Sequence, residues 1–79
     1  MEKIKIGDKL TLEQYINDDG TIKTQTAIVI DMDDESVWAE LESNKSVMIV
    51  YKKIITNISN ILFVPACGYY WDSHYRLTH

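Results

Sequence analysis

The stretch Thr21-Ile22-Lys23-Thr24-Gln25-Thr26-Ala27-Ile28-Val29-Ile30-Asp31-Met32 decides how this chain is read. Thr, Ile and Val dominate it, and these residues suit a pleated, half-buried surface. Ile28, Ile30 and Met32 alternate with Val29 and Asp31, which predicts a strand with one apolar face. Asp19-Gly20 stands directly before it, a strong short-range hairpin signal. The predicted partner strand is 10–16, on the other side of that turn.

Towards the C-terminus, Asp33-Asp34-Glu35-Ser36 reads as a turn. Val37, Ala39 and Leu41 then form the inward set of a third strand, with Trp38, Glu40 and Glu42 opposite. Ser43-Asn44-Lys45 is the next turn, and Val47, Ile49 and Tyr51 continue the alternation in a fourth strand. The core expected from this pattern is Ile28, Ile30, Val37, Leu41, Val47 and Ile49. From Lys52 the period changes. Ile54, Ile55, Ile58, Ile61 and Leu62 fit one face of a helix. However, Thr56, Asn57, Asn60 and the β-branched isoleucines are poor helix formers. A short helical turn is therefore predicted, followed by a strand over 61–64 that Pro65 ends or holds at a sheet edge.

Towards the N-terminus, Gly7-Asp8 separates Ile4-Lys5-Ile6 from Lys9-Leu10-Thr11-Leu12. The fold class is thus mostly β: a small five-stranded barrel with a short helical turn, closed because closure removes aggregation-prone edges. The barrel is assigned to residues 1–66. Residues 67–79 lack a clean period and are read as an irregular, aromatic-rich segment packed on the barrel or extending from it.

Seventy-nine residues make one domain at most. A chain this short buries only roughly 60% of the surface its unfolded form exposes. Such small cores are usually reinforced by disulfides, metal or association. Cys67 is the only cysteine, so no disulfide forms within the chain, and a lone thiol suits a reducing compartment. Association into a homo-oligomer is the expectation that remains. No apolar run approaches the ~18 residues of a membrane span. Met1-Glu2-Lys3-Ile4-Lys5 lacks the apolar stretch of a signal peptide, so the expected location is the cytoplasm of its own cell or of a host. A net charge of -4 argues against nonspecific nucleic-acid binding, which needs clustered Lys and Arg.

Few residues suggest catalysis. Asp31, Asp33, Asp34 and Glu35 could supply oxygens to a hard cation, but the central Gly and distal Glu of an EF-hand loop are out of register. The reading favoured here is a solvated turn, with docking on a basic protein surface as a secondary role. Cys67, His74 and His79 are loosely spaced for zinc even if Asp72 joins them. Nothing marks an orienting group or oxyanion site for a Cys67 nucleophile. No Gly-rich phosphate loop is present. No catalytic site, metal or cofactor is expected.

The C-terminal segment is the most unusual. Tyr69, Tyr70, Trp71, His74, Tyr75 and Arg76 fall within eight residues. Tyr, Trp and Arg dominate interface hot spots, and aromatic planes beside an Arg also suit stacking on a base. The competing reading is that the segment covers the open end of the barrel, burying Tyr69 or Trp71.

Ile6-Gly7-Asp8-Lys9-Leu10, the bent run over 27–32, the acidic turn and Val37 to Leu41 together resemble the SH3-like class of small barrels. Met48-Ile49-Val50-Tyr51-Lys52-Lys53-Ile54-Ile55-Thr56-Asn57-Ile58 is similar to the second motif of bacterial Sm-like (Hfq-type) proteins. Lys53 stands where that family has its RNA-contacting His, and no counterpart of its N-terminal helix precedes Gly7. The Sm-like resemblance implies that Tyr51 and Lys52 line a ring pore that binds uridine-rich RNA, and Tyr51, Lys52 and Lys53 are the alternative candidates for binding RNA or a nucleotide.

The leading expectation is a non-enzymatic binding protein that occupies or sequesters another protein, as an inhibitor or adaptor. Its contacts would come from Tyr69, Tyr70, Trp71, His74, Tyr75 and Arg76. By analogy, small acidic proteins of this kind are common in phages and mobile elements, where they block host factors. The alternative is the Sm-like oligomer that binds RNA or nucleotide.

Overall fold

Turn chemistry sets the strand boundaries of this chain, whose computed structural model describes residues 3–79. Among the described residues seven strands form: β1 (Lys9–Ile16), β2 (Ile22–Met32), β3 (Ser36–Leu41), β4 (Val47–Tyr51), β5 (Thr56–Ile58), β6 (Ile61–Val64) and β7 (Tyr69–Trp71). A 3₁₀ turn over Lys52–Ile54 follows β4, a second over Ala66–Gly68 precedes β7, and a short helix α1 (Tyr75–Thr78) ends the chain. Gly20 adopts φ +89° in the β1–β2 turn, a conformation that glycine enters without a Cβ penalty. Ser59 and Asn60 both have positive φ, 51° and 69°, and join β5 to β6 in a two-residue hairpin. Positive φ at both central positions is what a type I′ turn requires.

All strands belong to one sheet in the order β5-β6-β1-β2-β3-β4-β7. The β1–β6 pair is parallel and every other pair is antiparallel. The mostly β class is as read from the sequence. The expected five-stranded closed barrel gives way to seven strands and two open edges, β5 and β7. The extra strands come from the Ser59-Asn60 turn, which creates β5, and from Tyr69–Trp71, which pairs with Met48, Ile49 and Val50.

One face of the curved sheet holds the core. Leu10, Leu12, Ala27, Val29, Val37, Ala39, Leu41, Val50 and Val64 are buried there as one cluster, with Ile4, Met32, Met48, Ile55, Leu62 and Tyr69 packed against it. Val37 and Leu41 are core as expected. In β2, Ala27 and Val29 take the inward positions assigned to Ile28 and Ile30, which are only half-buried. The cause is a β-bulge. The register runs Val29↔Ala39 and then Asp31↔Trp38, leaving Ile30 as the extra residue. A bulge inverts the alternation along a strand. Met32, opposite Val37, therefore shares the core face with Val29 although the two are an odd number of residues apart.

The second face of the sheet is also covered in part. Val47 is buried outside the main core, opposite Glu40, and Ile49 is half-buried opposite Trp38. The C-terminal segment folds over this face as a strap. The Trp38 indole N–H donates to Asp72 Oδ2 at 2.9 Å, the Tyr75 hydroxyl donates to Asp31 Oδ2 at 3.2 Å, and the Arg76 guanidinium bridges Glu40 and the Lys45 carbonyl. The Tyr75 ring lies 6.3 Å from that of Trp38 and stacks on His79 at 4.1 Å.

Beyond a second bulge, between Glu13 and Tyr15, the β1–β2 hairpin projects as an arm. Residues 14–24 of the arm are exposed, including Tyr15, Ile16 and Ile22. Its tip is closed by hydrogen bonds from the Asn17 N–H to the Thr21 carbonyl and from the Gly20 N–H to the Asn17 carbonyl. Asp19 Oδ1 also accepts from the Thr21 N–H and hydroxyl.

Candidate functional site

A groove of about 880 Å³ lies where the end of β2, the turn after it and the 3₁₀ turn after β4 meet. Ile4, Met32 and Ile54 give it an apolar floor, Lys3, Lys52 and Lys53 bring three ammonium groups, and Asp34 and Glu35 stand among them. Tyr51 forms one wall, and the exposed Cys67 also lines the groove.

Local backbone bonds fix this arrangement. Asp33 Oδ1 accepts from the Glu35 and Ser36 N–H groups, shaping the acidic turn. Those two bonds hold the Asp33 carboxyl below the usual carboxylate range, against a smaller opposing effect of burial. The Lys52 N–H donates to the Glu35 carbonyl at 3.0 Å and ties the 3₁₀ turn to the acidic turn. The Ile55 N–H closes the 3₁₀ turn on the Lys52 carbonyl. Gly68 is buried against Ile54 and Val64, so the floor of the groove rests on a position with no side chain.

The groove continues into an aromatic surface. Tyr51 lies 5.9 Å from Tyr70, ring to ring, and both are exposed. The neighbouring Tyr51 phenol raises the Tyr70 phenol above its ordinary value, with smaller contributions from desolvation and the Asp72 charge. Trp71 is 65% exposed and borders a smaller hollow with Lys45, Asp72 and Arg76.

The six C-terminal candidates divide between two roles. Tyr69 packs on the core and donates its hydroxyl to the Glu13 carbonyl. Tyr75 and Arg76 fasten the strap, and the His74 N–H donates to Asp72 Oδ1. Burial raises the Tyr75 phenol, and the bond to Asp31 adds to that shift. Burial also pushes the Asp72 carboxyl up, but bonds from the Trp38 indole and the His74 N–H, with the nearby Tyr75 backbone, outweigh it and leave the group below its usual range. Tyr70 and Trp71 are the two aromatics of this segment that face solvent broadly.

The acidic candidates also separate. Asp31 lies under the strap, Asp33 organises its own turn, and Asp34 and Glu35 line the groove. Among the described residues, no three His, Cys, Asp or Glu side chains gather to hold a metal ion. Tyr51, Lys52 and Lys53 do come together, on one concave surface. Sequence reasoning missed Lys3, Ile4, Met32 and Ile54 as their companions in the groove. The bulge at Ile30 places Met32 there, and neither sequence spacing nor residue type signals it. No protein-family model matches this sequence, and no curated protein or solved structure matches it either.

Proposed function

We propose that this chain is a non-enzymatic binding protein that takes an acidic, partly apolar segment of another protein into the groove at Tyr51, Lys52 and Lys53. The observation that carries this reading is the meeting of an apolar floor, three lysines and the exposed Tyr51–Tyr70 pair on one surface of an otherwise acidic molecule. Binding sites combine apolar surface with a few placed polar groups in this way. Tyr adds large contact area at low entropic cost and tolerates a wet rim. Tyr70 extends the surface from the groove, and Trp71 adds a further exposed anchor. Acting as an inhibitor or adaptor would require no more than occupation of this surface.

Nucleotide or RNA binding is the second reading. It rests on the same lysines beside Tyr51 and on the SH3-like and Sm-like resemblance of the central strands. A titration followed by amide NMR separates the two. The probes are a synthetic peptide alternating Asp with Leu and Phe, and an oligouridine. The peptide should move the amides of residues 51–54 and of Tyr70, and Lys52→Glu/Lys53→Glu should abolish the effect. Preferential binding of oligouridine would transfer the site to the second reading. Its affinity would fall with salt at a log–log slope of about -2 for three phosphate contacts on a single strand. Shifts confined to other surfaces would remove the groove from both readings.

A further inference from the structure

The β1–β2 arm offers the groove a complementary occupant. Ile16 and Ile22 are direct cross-strand partners on one side of the arm, 62% and 49% exposed, with no covering element. The arm ends in Asn17-Asp18-Asp19-Gly20, so its tip carries two adjacent carboxylates. The hydrogen bonds across the turn hold this tip in one shape. The Asp19 carboxyl sits below its ordinary range because the Thr21 hydroxyl and N–H donate to it. Asp18 makes no hydrogen bond or ion pair among the described residues and is free to meet a cation. The arm is therefore a preformed hairpin with an apolar side and an anionic end. Such an element loses little conformational entropy on docking. The groove presents an apolar floor and three lysines against two carboxylates, Asp34 and Glu35, and its adjacent Lys52 and Lys53 form the cationic side that an anionic tip would meet.

An arm cannot fill the groove of its own molecule. β2 begins in the arm at Ile22 and ends in the groove at Met32. Its eleven residues span about 33 Å at roughly 3.3 Å per step. The longest dimension of the molecule is 41 Å, so the two features lie towards opposite ends. We infer that the groove receives the β1–β2 arm of a second copy of this chain, the Ile16–Ile22 side on the apolar floor and Asp18 against Lys52 and Lys53. This inference rests on the groove being a binding site for acidic, apolar segments, and it names the partner. Because arm and groove are different surfaces, the contact is head-to-tail. Every open assembly keeps one free arm at one end and one free groove at the other, so it grows into a filament unless a ring closes.

Reciprocal charge reversal tests the pairing. Sedimentation velocity is run on the full chain from low micromolar to submillimolar concentration, with circular dichroism confirming that each variant is folded. The wild type should self-associate. Asp18→Lys alone and Lys52→Glu/Lys53→Glu alone should each weaken association on the order of tenfold or more, since like charges then oppose each other. Lys53→Glu by itself guards against a fold effect at the half-buried Lys52. An equimolar mixture of the arm-reversed and groove-reversed proteins should associate again, because every contact in an alternating chain is complementary. Ile16→Ser should weaken association in the wild type and in the mixture alike.

A wild type that stays monomeric throughout overturns the inference. So does an oligomer that both reversals leave intact, or a mixture that fails to reassociate. The peptide titration distinguishes the failures. A monomer that binds the acidic peptide in its groove refutes the arm as occupant and leaves the proposed function standing. A protein that ignores the peptide removes the reading beneath the inference.

Discussion

Replacing Gly68 by Ala tests how the floor of the groove is supported. A Cβ built at this position would lie 2.5 Å from Ile54 Cγ2, 3.0 Å from Val64 Cγ1 and 3.1 Å from Ile54 Cβ. Carbon atoms do not approach so closely, so a neighbour must move. Val64 is fully buried and has no room to withdraw. Ile54 is half-buried and belongs to the 3₁₀ turn that Lys52 anchors to Glu35, so the displacement falls on that turn. Overpacking of this kind costs about 1–3 kcal/mol. At roughly 4–8 °C per kcal/mol for a domain of this size, Tm should drop by about 4–24 °C. Thermal unfolding followed by circular dichroism gives the first readout. The second is a double-mutant cycle with Ile54→Ala, which removes the nearest clashing atom. The two substitutions should couple by about 1 kcal/mol or more, with Gly68→Ala tolerated better once the side chain is shortened. An unchanged Tm for Gly68→Ala, or strict additivity in the cycle, would refute the close packing of Gly68 on Ile54.

Further outcomes follow from the core, the strap and the carboxylates. Leu12→Ala should cost roughly 2–5 kcal/mol because the side chain is fully buried, whereas Ile22→Ala on the exposed arm should stay within about 0.5 kcal/mol; urea unfolding compares them. Tyr75→Phe removes the bond to Asp31 and should cost about 0.5–1.5 kcal/mol, with faster hydrogen exchange at the Asp72 and His79 amides. Asp8, Asp19, Asp33 and Asp72 all titrate below their ordinary value in the folded chain. Their contribution to stability is present above the unfolded carboxyl range and is lost as pH falls through the folded values, so denaturant midpoints should decline below about pH 4. Tyr70 and Tyr75 titrate above theirs, so their contribution holds at neutral pH and is lost as pH rises beyond about 10, which tyrosinate absorbance would register.

Much of this fold was legible in the sequence because its strongest signals are local. Asp19-Gly20 marks the first hairpin, and alternation locates β3 and β4. The mixed period after Tyr51 marks a helical turn that forms as three residues of 3₁₀ helix. Two kinds of feature were not legible. The bulges at Gln14 and Ile30 depend on pairing with neighbouring strands, and no residue type at either position announces them. Ile30 thereby inverted the expected core over residues 27–30 of β2. Strands β5 and β7 carry no usable alternation either, since Thr56, Asn57 and Ile58 are all exposed and Tyr69-Tyr70-Trp71 is aromatic throughout. Of the candidate site, Tyr51, Lys52 and Lys53 are singled out through the Sm-like resemblance of the 48–58 segment, and they adjoin in sequence. Met32 joins them through the bulge at Ile30, and Lys3 and Ile4, which lie outside the strands, join them only in the folded chain.

The strap over Trp38 gives this protein an optical gauge of its own C-terminus. The indole is half-buried, bonded to Asp72 and flanked by Tyr75, so its fluorescence reports whether the last turn is seated. Lifting residues 72–79 would expose the indole to water and move its emission to longer wavelength. Trp71 faces solvent in the seated state and contributes a constant background, which Trp71→Phe would remove. A purification tag or fluorophore fused after His79 could then be judged from the colour of a single tryptophan before any binding experiment begins.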